Sequence, residues 1–256
     1  MTNEYADWER WRSARADLLR DPHGPLSFRS LHWLGEQAEA YPPIPGKWSA
    51  GPAGVTVDSA DGLLADGLPL VGSVTLTPDE NGATVLGFED KLVDVLRRTG
   101  RYALRLRDPG APALKAFTGV PSYPFDPRWV LDATFVPSAS SYVGASIVDG
   151  HTPTHRVRGR IQFTVDCAER SVLAFDAGPS AVQVLLRDAT SGVTTYGGVR
   201  SLIAEVPPDG GALRLDFNRA ANLPCAFTEF STCPLPPPEN ILPFAVEAGE
   251  QLPSAA

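Results

Sequence analysis

The sequence predicts a mainly β protein built from short antiparallel strands, and three observations support this. The 23 Gly and 25 Pro among 256 residues require many turns, which favours short strands over long helices. In the second half, strand-like runs follow one another at the roughly 8–12-residue spacing of sandwiches and barrels. Strands and helices do not alternate, so a parallel α/β sheet is not expected.

The first element is a helix over residues 4–20, within an N-terminal segment 1–23. Apolar residues recur at helical spacing on one side, and Asp21-Pro22 ends the run. Such a stripe normally packs against the rest of the protein, so we expect Trp8 and Trp11 to be buried. The stripe comprises Tyr5, Trp8, Trp11, Ala14, Leu18 and Leu19.

A small β unit is predicted for residues 24–108. Turn dipeptides such as Asn81-Gly82 separate its short β-prone runs. These runs lie at residues 55–57, 68–76, 83–88, 92–97 and 101–107. The sequence from Asp108 to Pro112 differs in composition from the segments on either side of it, which indicates a domain boundary.

A larger antiparallel β barrel or sandwich is predicted for residues 109–256. Its strand patterns lie at residues 129–137, 158–165, 171–175, 181–187, 200–206 and 213–217. A proline-rich segment, residues 218–243, follows without a strand or helix pattern, but it carries aromatic and aliphatic residues. We therefore expect it to be ordered, to wrap the domain and to wall one side of a pocket.

Composition excludes some classes of partner. The net charge is −8, from 30 acidic and 22 basic residues, which argues against a nucleic-acid or anionic-membrane surface. No stretch approaches the roughly 20 apolar residues of a membrane span. Three cysteines fit a reducing compartment, so we expect a cytoplasmic protein. No Gly-rich phosphate loop is present, and we expect neither a cofactor nor a metal. The sequence leaves open whether the chain forms a homodimer.

Two stretches carry a family resemblance. LLRDATSGVTTYGG at 185–198 and the block at 213–250 together resemble domain of unknown function family 1684. FTGVPSYPFDP at 117–127 and GPLSFRSLHWLGE at 24–36 are similar to further segments of that family. The resemblance implies that residues 24–36 lead into a degenerate forkhead-associated-like β unit. The chain departs from the family after Glu36, where AYPPIPGKW replaces a Gly-Ser-Asp turn. The resemblance implies neither a reaction nor a cofactor.

Asp216 and Asn218 form the first candidate pair. They lie two residues apart on a strand whose other side is apolar, so they share one face. A carboxylate beside an amide can serve as a general base with an orienting partner. The same pair can instead hold the proline-rich segment through backbone hydrogen bonds.

Asp188, Tyr196 and His32 are the other catalytic candidates. Asp188 begins a turn, Asp-Ala-Thr-Ser-Gly, which is also good turn chemistry without any catalytic role. Tyr196 precedes two glycines, and its hydroxyl could stabilise an oxyanion or sit at the rim of the core. His32 lies in the family-like element and could act in acid–base chemistry or be a hydrogen-bonded, half-buried histidine.

A further set could bind substrate. Cys225 and Cys233 lie eight residues apart and could be buried thiols, a nucleophile or part of a metal site. A disulfide between them is geometrically possible, but in a reducing compartment we expect both to be reduced thiols. His151 and His155 are spaced for metal ligation, but Pro153 indicates a loop, so we expect two exposed turn residues. Glu239 and Asn240 could line a pocket or clamp the segment. The predicted substrate-binding residues are Asn218, Glu239, Asn240, Cys225, Phe227 and Tyr123.

Three functions fit these observations. The first is a small-molecule enzyme without an organic cofactor, a hydrolase or an isomerase/cyclase, acting by proton transfer in a pocket of the C-terminal β domain. The second is a non-catalytic small-molecule binding module. The third is a protein-interaction module that uses the N-terminal β unit. An enzyme requires two or more of the polar candidates to converge in one pocket, whereas a binding module does not.

Overall fold

The computed structural model describes residues 2–253, and side chains from residue 4 to 253. It confirms a mainly β fold with antiparallel sheets and one long N-terminal helix, α1 (Thr2–Arg20). The chain divides into two compact units. The N-terminal unit holds Leu18–Phe117 and Thr228–Ser231; the C-terminal unit holds α1 up to Asp17, Thr118–Phe227 and the chain from Thr232 onward. None of the described helices is both long and apolar enough to cross a membrane.

Helix α1 buries a narrower stripe than the sequence predicts. Trp8 is 4% exposed, as expected, whereas Trp11 is only half-buried, and Tyr5 and Leu18 are 47% and 55% exposed. Ala14, which the apolar pattern places in the stripe, is exposed. Its neighbour Arg15 is half-buried instead, and the Arg15 guanidinium donates to the Glu250 carboxylate at 3.0 Å. An ion pair therefore occupies part of a helix side that the apolar pattern alone would assign to the core.

The N-terminal unit contains a six-stranded sheet in the order β1-β9-β8-β7-β4-β5 and a three-stranded sheet in the order β2-β3-β6. Its strands are β1 (Phe28–Trp33), β2 (Lys47–Gly51), β3 (Gly54–Asp58), β4 (Leu64–Ala65), β5 (Leu68–Pro69), β6 (Val74–Leu76), β7 (Ala83–Phe88), β8 (Lys91–Arg98) and β9 (Arg101–Arg107). Helix α2 (Pro112–Ala116) follows. Both sheets contribute to one core, in which Trp48, Leu86 and Leu104 are fully buried.

The predicted strand at residues 68–76 is wrong in extent. It is split into β5 and β6, and Gly72 between them has φ +70°. That conformation is accessible to glycine and incompatible with a continuous strand.

The C-terminal unit is built on a seven-stranded antiparallel sheet in the order β15-β10-β11-β12-β13-β14-β16. Its strands are β10 (Val130–Val143), β11 (Thr154–Val165), β12 (Ala168–Asp176), β13 (Ala181–Leu186), β14 (Arg200–Glu205), β15 (Gly211–Asp216) and β16 (Ala221–Asn222). Strands β15 and β16 are the two ends of this order, so the described sheet is sandwich-like and not a closed barrel.

The two faces of this sheet differ in what covers them. The core face carries Phe135, Phe163 and Leu202, and it is covered by residues near the C-terminal end of the chain, among them Leu242 and Val246. The opposite face, called here the groove face, carries Thr134, Gln162 and Ser171, because alternate residues of a strand point to opposite sides. Any site on the groove face is therefore supported from below by a packed core.

The proline-rich segment is ordered, as predicted. It forms short 3-10 turns at Phe217–Arg219, Pro224–Ala226 and Pro238–Asn240. Backbone hydrogen bonds also attach it to other loops, such as Leu235 N to Ala145 O at 2.8 Å. Its prolines remove donors and fix φ, which explains why turns and isolated bridges replace regular strands here.

Candidate functional site

Asp216 and Asn218 lie together at the end of β15, where they stabilise a turn. Oδ1 of Asp216 accepts hydrogen bonds from the Asn218 backbone N and Nδ2, at 3.0 and 2.9 Å. The Asn218 amide in turn donates to Asp126 O and accepts from Asp126 N, both at 3.0 Å. Arg219 Nε lies 3.2 Å from the other Asp216 oxygen. These contacts favour the structural role over the general-base role, which stays a prediction.

Asp188 lies in a buried polar cluster. One carboxylate oxygen accepts from Arg200 Nη2 at 2.7 Å. The other accepts from the Thr190 backbone N and hydroxyl and from Val246 N, at 2.8, 2.6 and 3.1 Å. Arg200 is 1% exposed and also donates to the backbone carbonyls of Ala248 and Val246. The cluster therefore ties the turn after β13 to the C-terminal end of the chain, and solvent does not reach it.

Tyr196, Cys225 and Cys233 form one cluster, called here the thiol cluster, with apolar groups of the groove face around it. Burial raises the pKa of the Tyr196 phenol, and the neighbouring Cys225 thiol raises it further. A hydrogen bond with Cys233 and burial both raise the pKa of Cys225. A thiol whose pKa is raised in this way stays protonated near neutral pH, which disfavours Cys225 as a nucleophile.

Gly198 makes room for the Tyr196 ring. A Cβ atom at position 198 would lie 2.5 Å from Tyr196 Cε1. The second glycine of the Tyr-Gly-Gly sequence is thus required by the close approach of a side chain.

Asn240 bridges two neighbouring strands. Its Oδ1 accepts from Leu173 N at 2.7 Å, and its Nδ2 donates to Leu173 O at 3.0 Å and Leu185 O at 2.8 Å. Strands β12 and β13 pair only at Phe175–Gln183 and Asp176–Val182. Continued pairing would place Leu173 opposite Leu185, so the Asn240 amide occupies the position where the two strands separate. The residue acts as a clamp, one of the two roles that the sequence allowed.

Glu239, Tyr123 and Phe227 lie at separate points of the C-terminal unit. The Glu239 carboxylate is 3.7 Å from Arg160 on the groove face. Tyr123 and Thr194 share a hydroxyl–hydroxyl hydrogen bond of 2.6 Å. Phe227 closes the 3-10 turn that contains Cys225, its backbone N donating to Pro224 O.

The histidines named as candidates also lie in different surroundings. His32 belongs to β1 of the N-terminal unit, where its ring lies 4.9 Å from that of Tyr41. His155 packs against Phe175 in the C-terminal unit, with ring centroids 5.1 Å apart. His151 is buried. Within the C-terminal unit, the structure joins Asp216 to Asn218 and Tyr196 to Cys225, and it places Asp188 in a hydrogen-bonded cluster with Arg200.

A groove of about 590 Å³ does lie on the sheet of the C-terminal unit. Four strands line it, and two rows of side chains run across them. The first row contains Thr134, Gln162 and Ser171, which are cross-strand neighbours. Asp132, Thr164 and Glu169 form the second row. The groove thus combines uncharged hydrogen-bonding groups with two carboxylates.

The groove residues could not be identified from the sequence alone. On β10 and β11 these residues alternate with apolar ones, which is also the pattern of any solvated sheet face. Their position in a common groove depends on the register between β10, β11 and β12, which a single sequence does not provide. Arg200 was missed for a related reason, since a charged residue inside a strand is normally assigned to the surface.

Comparison with known proteins identifies the family of this chain. Residues 115–251 match the family described as "Protein of unknown function (DUF1684)". The chain belongs to this family. The match covers the proline-rich segment and all seven strands of the C-terminal sheet. It begins at residue 115, so the forkhead-associated-like resemblance of the N-terminal β unit is not confirmed.

A solved structure and a search of curated proteins complete the comparison. An uncharacterised protein of Haloarcula marismortui, determined by NMR in solution, is 30% identical over 54% of this chain and 78% of its own, with a TM-score of 0.45. No curated protein matches. Within this DUF1684 chain, function must therefore be argued from the geometry of the C-terminal unit.

Proposed function

We propose that the C-terminal β domain is a non-catalytic module that binds a small polar molecule in the groove of its sheet. The observation that carries this proposal is the convergence of two polar rows over about 590 Å³, within the usual size range of small-molecule sites, roughly 300–1,000 Å³. A sheet supported by a packed core is also a rigid base, which lowers the entropic cost of binding.

The first row supplies hydrogen-bonding groups without charge. Gln162 lies between Thr134 and Ser171 in the sheet register. The Ser171 hydroxyl is buried, yet it has no hydrogen-bond partner among the described residues. A buried polar atom without a partner costs about 1–3 kcal/mol, and a ligand hydroxyl or amine bound in the groove would remove that cost.

The second row favours ligands that donate hydrogen bonds or carry positive charge. Glu169 is exposed. The Asp132 carboxylate forms an ion pair of 2.5 Å with Arg214 at the edge of the sheet. Arg170 lines the groove, but its guanidinium lies over the ring of Phe244, which packs on the core face. Neutral polyols and small amines therefore suit the groove better than phosphates or carboxylates.

The contacts of the predicted catalytic residues support binding over turnover. Asp188 and Asp216 accept hydrogen bonds from neighbouring residues, and neither lines the groove. Tyr196 contacts a thiol that is buried with it. The hypothesis of an acid–base hydrolase or isomerase/cyclase stays a prediction.

A binding screen tests the proposal. We would measure the affinity of sugars, polyols, small amines, amino acids and nucleosides for the full chain by calorimetry and NMR. Gln162→Ala and Ser171→Ala should each weaken a bound compound about tenfold, corresponding to a lost hydrogen bond of about 1.4 kcal/mol. The matched control is Thr154→Ala, an exposed change on the same strand outside the groove.

Three results would contradict the proposal. One is that no class in the panel binds; another is that a compound binds equally well to all three variants. The third is recovery of a chemically altered compound after incubation, which would show catalysis and favour the enzyme hypothesis over the binding module.

A further inference from the structure

Cys225 and Cys233 are held side by side although seven residues separate them in the chain. The Cys225 backbone N lies 3.4 Å from the Cys233 sulfur. With an N–Cα bond of about 1.5 Å, that sulfur is within about 5 Å of Cys225 Cα, a separation compatible with disulfide geometry. No disulfide joins the two residues in this structure.

The backbone fixes each cysteine independently. The Cys233 carbonyl accepts hydrogen bonds from Ile147 N and from the Ser146 hydroxyl, both at 3.0 Å. Cys225 lies inside the 3-10 turn Pro224–Ala226, which Phe227 N closes onto Pro224 O at 2.9 Å. The two thiols are thus positioned before any bond forms, so little chain entropy would be lost on joining them.

The surroundings limit which reagents can reach the pair. Cys225 and Cys233 are 9% and 6% exposed and pack among Phe175, Leu185 and Val199. An oxidant can therefore reach the two sulfurs only during local opening of the structure around them. The raised pKa of Cys225 slows attack by its sulfur and favours the dithiol until an oxidant is present.

We propose that Cys225 and Cys233 are a reversible redox pair that forms an intramolecular disulfide with hydrogen peroxide or glutathione disulfide as the oxidant. With peroxide, one thiolate attacks an oxygen, the O–O bond breaks and a sulfenic acid and water form; the second thiol then displaces a second water as the S–S bond forms. With glutathione disulfide, two successive exchanges release two molecules of glutathione. Two electrons leave the protein in both routes.

Cys167 provides an internal comparison. It is exposed, in the turn between β11 and β12, and no second cysteine of the described chain is placed beside it as Cys233 is beside Cys225. Under the same oxidant it should form only a mixed disulfide or an oxyacid. The sequence also separates the two cases, because trypsin releases Cys167 within residues 161–170 and both other cysteines within residues 220–256.

The experiment is oxidation of the folded full chain in glutathione buffers of graded ratio, followed by acid quenching, tryptic digestion and mass spectrometry. We expect the peptide of residues 220–256 to lose the mass of two hydrogen atoms and to regain it with dithiothreitol. The peptide of residues 161–170 should instead gain one glutathione. Cys167→Ser should leave the first result unchanged.

Single variants test the assignment to one bond. In folded Cys225→Ser and Cys233→Ser proteins, the loss of two hydrogens should disappear. If either variant fails to fold, the wild-type mass measurement still decides. The proposal is overturned if both thiols remain reduced while Cys167 is fully glutathionylated, or if peptide 220–256 gains glutathione or oxygen without closing a bridge. Neither outcome bears on the groove.

Discussion

Arg200 donates a hydrogen bond of 2.7 Å to Asp188, and the side chains of the two residues are only 1% and 0% exposed. Two opposite charges are buried together, and the remaining oxygen of Asp188 is occupied by Thr190 and Val246. A buried pair of this kind need not add net stability relative to an apolar pair, but removing one partner leaves the other uncompensated.

Asp188→Ala should therefore lower the free energy of unfolding by about 3–5 kcal/mol. Urea denaturation followed by fluorescence measures this change. The control is Asp132→Ala, which removes the exposed partner of Arg214 and should cost no more than about 1 kcal/mol. Equal losses for the two variants would show that the Asp188 cluster is not the buried structural element described above.

Asp216→Asn separates the structural and catalytic roles of the β15 turn. It keeps an oxygen for the Asn218 backbone N but loses the ion pair with Arg219, so we expect a loss near 1 kcal/mol. Asn218→Ala removes all the side-chain hydrogen bonds to Asp126 and Asp216 and should cost about 2–4 kcal/mol. A stable Asp216→Asn protein that has lost activity on an identified substrate would support the general-base role instead.

Trp8→Ala tests how firmly helix α1 is attached to the C-terminal unit. Trp8 is buried, contacts Phe125 and donates from its indole N to Asn218 O at 3.1 Å. We expect a loss of about 3–5 kcal/mol in thermal or urea unfolding. Tyr5→Ala, on the same helix but 47% exposed, should cost less than half as much; a Trp8→Ala loss under about 1 kcal/mol would mean that the helix is not docked through this residue.

His155 should make stability depend on pH. Burial lowers its pKa below the ordinary value of 6.5, so on acidification the unfolded chain binds a proton before the folded chain does. The contribution is complete above about pH 6.5 and is lost as pH falls through the window below it. We would compare urea unfolding at about pH 7.5 and about pH 5.5 for wild type and His155→Phe.

The Phe variant keeps a ring against Phe175 but cannot titrate. It should therefore lose less stability than wild type on acidification. Identical pH dependence in the two proteins would mean that His155 takes up its proton as readily in the folded state as in the unfolded chain.

Much of the fold could be predicted from local patterns, whereas the site could not. The strand patterns at 101–107 and 200–206 and the order of the proline-rich segment follow from alternation and composition, which act over a few residues. Asn240 could be named but not assigned a role, because its partners are backbone groups of β12 and β13. The groove depends on cross-strand register, and Tyr196–Cys225 on a loop contact; both are long-range properties that one sequence does not encode locally.

The bridge made by Asn240 also bears on the order in which the C-terminal domain folds. The backbone groups of Leu173 and Leu185 bond to Asn240, which lies 67 and 55 positions further along the chain. The connection between β12 and β13 therefore cannot be completed by neighbouring segments. Such distant closure slows folding, since chain entropy is lost before the contact is made. We expect Asn240→Ala to slow refolding in stopped-flow experiments; if it only accelerates unfolding, the bridge forms after the rate-limiting step. In a newly made chain, β12 and β13 would then remain unconnected at Leu173 and Leu185 until the segment that contains Asn240 has bound to them.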